Sequence, residues 1–534
     1  MRILIANRGE IARRIIRTAH RLGHETVAVY ADPDATAPFV GEATTSFRLG
    51  PADLAASYLS VERLLEAIDS TGADAVHPGY GFLAENAGFA RAVVDSGAIW
   101  IGPNPGAIES MGSKIEARRI ADVSAGVPII PGYDESQDAV ELAAAADRIG
   151  YPVLVKAAAG GGGKGIRIVH DHAGFAAALR EASNEGERSF GNGDMIVERY
   201  IQRPRHVEVQ IVGDRHGAVV HLGTRECSVQ RRYQKVLEEA PAPNLPTETR
   251  DGLHASAVQL ATIMGYDSAG TVEFIVDDET GEYFFLEMNT RLQVEHPVTE
   301  AVTGLDLVEL MIRVAAGEHL PVGQADVTFT GHAFEARINA EDPAHDFAPQ
   351  IGIVTHLRVP DAVRWDSAVV EGDEITSFYD PMVAKLIVEG PDRDTARRRL
   401  ARALDRLVIG GLVTNVGFHR WLIDQPPVVD GRVTTRFIDD NQLPAAPAPP
   451  AQIAADAWLA TTRATNPSSP WRVGSFRTTP HANTRPVVLR SIDGELHEAD
   501  RTVAHATPAA FAVSVERRSV AVNVDGHTHT FTVP

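Results

Sequence analysis

The sequence predicts a multidomain chain: a doubly wound α/β unit first, then α/β and α+β units, then a β-rich tail. Three observations predict it. The 534 residues exceed what one ordinary core holds. The first thirty or so read strand, helix, strand, the opening of a doubly wound sheet. A Pro/Ala linker at 443–451 (LPAAPAPPA) sets apart a last stretch of short alternating strands.

Residues 1–6 read as a buried strand that turns at Asn7-Arg8-Gly9. A helical pattern follows to Leu22, with Gly23 placed just past its end, and residues 25–30 form the second strand. A dinucleotide fingerprint is excluded, because Gly9 stands alone where three glycines are needed. A strand at 73–77 leads into Pro78-Gly79-Tyr80-Gly81, a rigid turn of the kind found at the carboxyl end of a sheet. Another short strand is expected at 95–101, and the first unit, 1–112, closes near Met111. From 127 to about 203 the pattern is hairpins with two helices. Strands at 151–157 and 165–170 are joined by a glycine-rich turn, and others follow at 195–200, 206–212 and 218–222. A hairpin pairs 271–276 with 283–289. A mixed region at 331–438 carries a helix at 392–407. Beyond the linker come a short helix near 456–463 and a last hairpin, 520–524 with 527–533, turning on Asp525-Gly526.

Composition narrows the function. Fifty basic against 71 acidic residues leave a net charge of −21, which repels phosphate backbones and anionic membranes. Nucleic-acid and membrane-surface roles are thereby disfavoured. A single cysteine, Cys227, allows no intrachain disulfide and fits a reducing compartment, so a cytoplasmic location is expected. Only five of the basic residues are lysines: Lys114, Lys156, Lys164, Lys235 and Lys385. In a chain that otherwise uses arginine, each marks a place where a compact ammonium does what a guanidinium cannot. Four of the five fall between Lys114 and Arg337, the segment expected to carry nucleotide chemistry.

Three motifs lie in that segment. Gly160–Gly163, Lys164 and Gly165 do not form a Walker A loop, because Ala158 replaces its first glycine and Gly165 its Ser/Thr. The loop joins two strands, which fits a flap whose bare amides close over phosphates; a mobile hairpin turn would share this composition. In the 271–289 hairpin, a turn centred on Thr280 opposes Glu273 and Glu287, with Asn289 on the same face. That donor set suits a hard cation such as Mg²⁺ or Mn²⁺, although an ordinary half-buried strand also alternates in this way. Third, the basic run Arg225–Lys235 reads as anion-binding. Cys227 within it reads as a buried packing residue. His206 and Glu208 share one strand face, as ribose or adenine contacts or as core polar groups.

Together these segments closely resemble the biotin carboxylase domain of biotin-dependent carboxylases, an ATP-grasp enzyme. The resemblance runs through ILIANRGEIA, HPGYGFLAEN, MGSK, VKAAAGGGGKG, ECSVQRRYQK, EEAP, FLEMNTRLQVEHPVTE, EARINAEDP and YDPMVAKL, over about residues 1–440. It implies a pre-ATP-grasp domain at 1–112, an ATP-grasp domain at 113–325 with a flap subdomain at about 128–203, and a C-terminal biotin carboxylase domain at 326–442. The tail, 452–534, looks more loosely like the linking domain of acyl-CoA carboxylase α subunits, especially the methylcrotonyl-CoA type.

The resemblance also implies roles. Lys114 and Lys156 hold nucleotide phosphates and Gly162 and Gly163 close over them. Glu198, Arg199, Tyr200, Ile201 and His206 line the nucleotide pocket, with Gln230 and Tyr233 nearby. Glu273, Glu287 and Asn289 bind metal, with the two glutamates also on the ATP side. Lys235, Arg291, Gln293 and Val294 hold bicarbonate. Glu295 is the general base that makes bicarbonate attack the γ-phosphate, giving carboxyphosphate. Arg337 binds biotin and stabilises the charge that develops on it. The implied cofactors are ATP, Mg²⁺ or Mn²⁺, and biotin carried elsewhere. The implied partners are a carboxyltransferase β subunit, which selects the acyl-CoA, and a biotin carboxyl carrier, in a homo-oligomer or larger α/β assembly. No lysine follows Lys385, so residues 386–534 hold no biotinyl-lysine site. The expectation is a separate carrier chain or a sequence that stops short of one. Two other readings compete. Another ATP-grasp ligase, of the carbamoyl-phosphate or purine-synthesis kind, would lack the RLQVEHPVTE block. A non-catalytic scaffold subunit would have no need of the intact set Lys235, Glu273, Glu287, Asn289, Arg291 and Glu295.

Overall fold

A computed structural model describes residues 1–158, 165–190, 192–232 and 234–441, together with five strands beyond them. The flap residues Gly162 and Gly163, Lys164, Tyr233, the linker, the helix expected at 456–463, the turn Asp525-Gly526 and the side chain of Lys114 lie outside the described residues.

The opening folds as its pattern predicts. Strand β1 (Arg2–Ile5) leads to the helix Gly9–Arg21, which buries Ile11, Ala12, Ile15, Ile16 and Ala19 along one face. Strands β2 (Glu25–Ala31), β3 (Thr45–Gly50), β4 (Ala75–His77) and β5 (Ile99–Trp100) complete a parallel sheet in the order β3-β2-β1-β4-β5. The strand expected within 95–101 is shorter, because Asp95 ends a helix, Ala87–Asp95, whose first turn Asn86 caps. The Pro78–Gly81 turn is rigid for a visible reason. Asn7 Nδ2 donates to the carbonyls of Pro78 and Tyr80, each at 2.7 Å. Gly79 has φ of 64°, and a Cβ there would sit 2.9 Å from that amide nitrogen. The turn fixes Tyr80, whose hydroxyl donates to Glu10.

The second sheet is antiparallel, with β6 (Gly132–Tyr133), β7 (Val153–Ala157), β8 (Ile166–Val169) and β9 (Met195–Arg199) in the order β6-β9-β7-β8. The glycine-rich segment therefore joins two antiparallel strands, as its sequence predicts.

The largest sheet positions the chemistry. It comprises β10 (Pro204–Gly213), β11 (Val219–Arg231), β12 (Gln234–Ala240), β13 (Ala269–Asp277), β14 (Tyr283–Asn289), β15 (His332–Asn339), β16 (Arg364–Ser367) and β17 (Met382–Gly390), in the order β14-β13-β10-β11-β12-β15-β17-β16. β11 is far longer than the 218–222 run, since it is paired on both edges, to β10 and to β12. Leu292 shares one core cluster with Ile3, Ile5, Ile11 and Met311. That apolar contact seats the first sheet against the loop after β14. Past residue 441, Leu496–Ala499, Val487–Ser491, His527–Thr532, Ser519–Val524 and Phe511–Glu516 form an antiparallel sheet in that spatial order. The last hairpin pairs Val524 with His527, as expected. No described helix is long and apolar enough to cross a membrane.

Candidate active site

Two polar rows cross the large sheet. In the first, Arg225, Glu208, Glu273 and Glu287 stand in register on β11, β10, β13 and β14. In the second, Arg337, Lys385 and Asp366 stand in register on β15, β17 and β16. Lys235 on β12 and Glu295, just ahead of the helix His296–Thr303, join the two rows.

The hairpin expectation holds by a different route. The pairs Val276–Tyr283, Ile275–Phe284 and Phe274–Phe285 do not centre on Thr280, and alone they would place Glu273 opposite Leu286. A bulge between Phe274 and Glu273 absorbs Leu286, which is 39% exposed, and brings Glu287 opposite Glu273. Asn289 pairs with Thr271 two residues on. Its Nδ2 lies 3.4 Å from Glu287 Oε1, and its Oδ1 accepts from Arg291. Two carboxylates and an amide oxygen on one sheet face are an all-oxygen donor set, which fits a hard divalent cation. Among the described residues, His206, Glu208 and Glu273, and likewise Glu208, Cys227 and Glu295, also bring possible ligand atoms close together. Glu208, however, is committed to two cations, Lys235 and Arg225.

Lys235 is the hub. Its Nζ donates to Glu208 Oε2 at 2.5 Å, Glu273 Oε1 at 2.8 Å and Glu295 Oε1 at 2.7 Å. Burial alone would discharge this amine, but the three carboxylates outweigh it and hold its pKa well above the usual lysine range. Burial likewise opposes ionisation of Glu295, yet Lys235, Arg337 and Arg225 keep it below the ordinary carboxylate range. Glu273 is held well below for the same reason, by Lys235 and by His206, whose Nε2 lies 3.0 Å away. Arg337 donates Nη2 to Glu295 Oε2 at 2.9 Å and Nε to Glu238 Oε1 at 2.6 Å. Gln293 Nε2 donates to Glu273 Oε1 at 2.8 Å. The site thus holds an ionised carboxylate, Glu295, clamped between two permanent cations and 2% exposed.

The remaining sites expected from the sequence are more dispersed. Arg291 sits at the rim, paired with Glu85 at 2.9 Å. Val294 offers its carbonyl to Lys385 Nζ at 2.9 Å. Lys156 Nζ and Arg118 Nη1 both lie 2.6 Å from the buried Glu198 carboxylate. Arg199 turns to Glu282, Tyr200 accepts from Arg436, and Ile201 is buried. Gln230, in register with Lys235, donates to the Cys227 carbonyl at 2.9 Å. Cys227 is fully buried, with a thiol pKa pushed well up by burial and then by Glu208, so it is a packing residue.

Most of the cations in the run from Arg225 to Lys235 are paired within the protein. Arg225 is completely buried and donates to Glu208, Gln210 Oε1, Thr299 Oγ1, Thr271 Oγ1 and Gln293 Oε1, while Arg231 and Arg232 pair with Asp346. Lys385, outside the Lys114–Arg337 segment, belongs to the site, since it reaches Val294 and lies 3.2 Å from Glu10. Its rarity as a lysine and its place in the YDPMVAKL segment both signal this. Glu10 is given no role by its pattern, and the partners of Arg225 and Glu238 lie far off in sequence.

Comparisons with known proteins point to one family. Profiles described as biotin carboxylase, N-terminal domain, and biotin carboxylase C-terminal domain match residues 1–108 and 335–440, and one described as carbamoyl-phosphate synthase L chain, ATP binding domain, matches 114–322. The chain is 50% identical over 442 residues to the mitochondrial methylcrotonoyl-CoA carboxylase subunit alpha of Glycine max, covering 82% of this chain and 60% of that protein. It thus spans well under two thirds of that relative's length. It is 47% identical to the propionyl-CoA carboxylase alpha chain of Ruegeria pomeroyi, covering 82% of this chain and 68% of that one. Among solved structures, the biotin carboxylase domain dimer of Hydrogenobacter thermophilus 2-oxoglutarate carboxylase, in complex with MgADP, ADP and bicarbonate, superposes with a TM-score of 0.75. That pair is 45% identical, with 82% of this chain and 97% of that one covered. The clamped Glu295, the apposed acids and these likenesses together make the chain a member of the biotin carboxylase family.

Proposed function

We propose that the chain carboxylates the biotin of a carrier protein, consuming ATP and bicarbonate, as the α component of an acyl-CoA carboxylase, with methylcrotonyl-CoA as the candidate final substrate. One observation carries this reading: Glu295 is ionised, buried and held between Lys235 and Arg337. The two cations keep Glu295 in the ionised form that can accept a proton, and they offer a small anion positive charge beside it.

In this reading Lys235, Arg291, Gln293 and the backbone of Val294 orient bicarbonate, and Glu295 removes its proton. The bicarbonate oxygen then attacks the γ-phosphate, giving carboxyphosphate and ADP. Carboxyphosphate releases CO₂, and the phosphate left behind deprotonates the ureido nitrogen of biotin. Arg337, whose Nη1 takes no part in the contacts to Glu238 and Glu295, stabilises the negative charge arising on the ureido oxygen. Lys114, Lys156, Gly162 and Gly163 hold the phosphates, and Glu198, Arg199, Tyr200, Ile201, His206, Gln230 and Tyr233 surround the rest of the nucleotide. Glu273, Glu287 and Asn289 would hold Mg²⁺ or Mn²⁺, which when bound neutralises phosphate charge.

The MgADP and bicarbonate found with the Hydrogenobacter thermophilus domain support the choice of substrates. We further propose the modules 1–112, 113–325 and 326–442, a carboxyltransferase β subunit and a biotin carrier as partners in a homo-oligomer or larger α/β assembly, and a cytoplasmic location. The test is bicarbonate-dependent ATP hydrolysis by the purified chain, stimulated by free biotin. Hydrolysis indifferent to both bicarbonate and biotin would favour another ATP-grasp ligase. No hydrolysis at all would favour a scaffold.

A further inference from the structure

Glu198 on β9 and Lys156 on β7 share one face of the second sheet, since Glu198 pairs with Leu154, and Lys156, two residues on, pairs with Ile196. Lys156 Nζ lies 2.6 Å from Glu198 Oε2. The other oxygen, Oε1, accepts from Arg118 Nη1 at 2.6 Å. Among the described residues no other cation pairs with this carboxylate. The Glu198 side chain is 3% exposed, whereas those of Lys156 and Arg118 are 31% and 33% exposed. The acid is sealed in, while each cation keeps a part that meets solvent. Glu198 also has little room to turn away, because it pairs with Gly132 on β6, where a Cβ would sit 3.0 Å from Glu198 Cγ.

The two cations reach Glu198 from different places. Lys156 belongs to the same sheet, just ahead of the glycine-rich segment. Arg118 lies outside that sheet, on the helix Lys114–Arg119, about one turn beyond Lys114. Its Nη2 also donates to the carbonyl of Ile130, at 3.5 Å, in the stretch that leads into β6. One guanidinium thus ties the helix that starts at Lys114 to the sheet that carries Lys156. A lysine drawn towards a phosphate gives up its hold on a carboxylate. Taking the last counter-charge from a buried carboxylate is strongly unfavourable, because the charge left behind has neither solvent nor partner. With Arg118 in place, Glu198 keeps a counter-charge on Oε1 wherever Lys156 turns.

We propose that Arg118 is a positioning residue that frees Lys156 for nucleotide phosphate by holding Glu198 in its stead, a role that rests on the phosphate contact proposed above for Lys156. Arg118 itself touches no phosphate. Without nucleotide the Glu198 carboxylate is shared by two cations. With nucleotide bound, Lys156 turns to the phosphates and Arg118 alone neutralises Glu198. Removing Arg118 leaves the Lys156–Glu198 pair of the unliganded fold in place. The loss therefore falls on nucleotide binding, where Lys156 has to choose between two anions, and not on folding.

The experiment measures calorimetric binding of a non-hydrolysable ATP analogue with Mg²⁺, beside melting curves, in wild type, Arg118→Met, Arg118→Lys and the double variant Arg118→Met with Glu198→Gln. Arg118→Met should raise Kd by about tenfold. Its melting temperature without nucleotide should stay near wild type, while the rise that the analogue gives should shrink. In turnover, KM for ATP should rise in step and kcat should hold. Arg118→Lys should bind as wild type does, because the contact with Glu198 uses a single nitrogen. In the double variant a neutral amide no longer competes for Lys156, so most of the lost affinity should return. Wild-type Kd in Arg118→Met overturns the proposal. A weakened Kd that Glu198→Gln does not recover also overturns it and makes Arg118 a direct phosphate ligand. A melting temperature in Arg118→Met well below wild type without nucleotide overturns it as well and makes the residue a structural tie. Wild type that does not bind the analogue overturns the proposed function, and this role with it.

Discussion

Glu295 Oε1 lies 2.7 Å from Lys235 Nζ, and its other oxygen lies 2.9 Å from Arg337 Nη2. A carboxylate gripped on both sides stays ionised in a buried site. Replacing it with an amide keeps the shape and removes the base. Glu295→Gln is expected to lower biotin-dependent ATP turnover by about a hundredfold or more while nucleotide affinity stays near wild type. Steady-state kinetics beside calorimetric ATP binding checks this, and full activity in the variant would sink the assignment of the base.

The opposite kind of residue is Arg225, which touches no solvent and ties β10, β11, β13 and the helix His296–Thr303 together. Its removal strands the buried Glu208 with only Lys235 as counter-charge. Arg225→Leu is expected to cost about 3–5 kcal/mol, the range for breaking a buried ion pair. A thermal melt should show the loss, whereas a midpoint equal to wild type would mean that the Arg225 contacts are dispensable.

Glu287 sits across the bulge from Glu273 and, unlike it, is exposed. Neutralising it should therefore affect cation binding more than folding. Glu287→Gln is expected to raise the Mg²⁺ concentration for half-maximal ATP turnover by about tenfold or more, with an unchanged melting temperature. Chelation of divalent ions should abolish turnover in wild type. Turnover that persists in excess chelator removes the metal from the reading.

What the sequence reveals follows the range of the interaction concerned. The doubly wound start and the strand–loop–strand setting of the glycines depend on neighbours a few residues apart, and both are legible. The apposition of Glu273 and Glu287 is legible in outcome but not in cause, because a one-residue bulge at Leu286 is decided by how β14 packs rather than by its alternation. Arg225 shows where legibility ends. Its basic neighbours suggest an anion site, yet its partners Glu208, Thr271, Gln293 and Thr299 come from other strands, the loop and a helix, and only the fold assembles them. Lys385 is an intermediate case. Its rarity marks it, but its contact with Val294 bridges 91 residues.

Acid stability offers a test remote from the chemistry. His419 is buried beneath β15, with Nε2 donating to the carbonyl of Arg337 at 2.8 Å and Nδ1 without a partner among the described residues. Burial lowers its pKa to about 4, outweighing that hydrogen bond. Its unfolded value is 6.5, so between these limits the unfolded chain binds more protons than the folded one. The stability owed to this neutral imidazole is therefore complete above pH 6.5 and is lost as pH falls towards 4. The difference amounts to about 3 kcal/mol. His419→Gln keeps a donor for the Arg337 carbonyl but cannot titrate. Melting temperatures across that window should fall less steeply in the variant than in wild type. Parallel slopes would show that His419 is already charged in the fold.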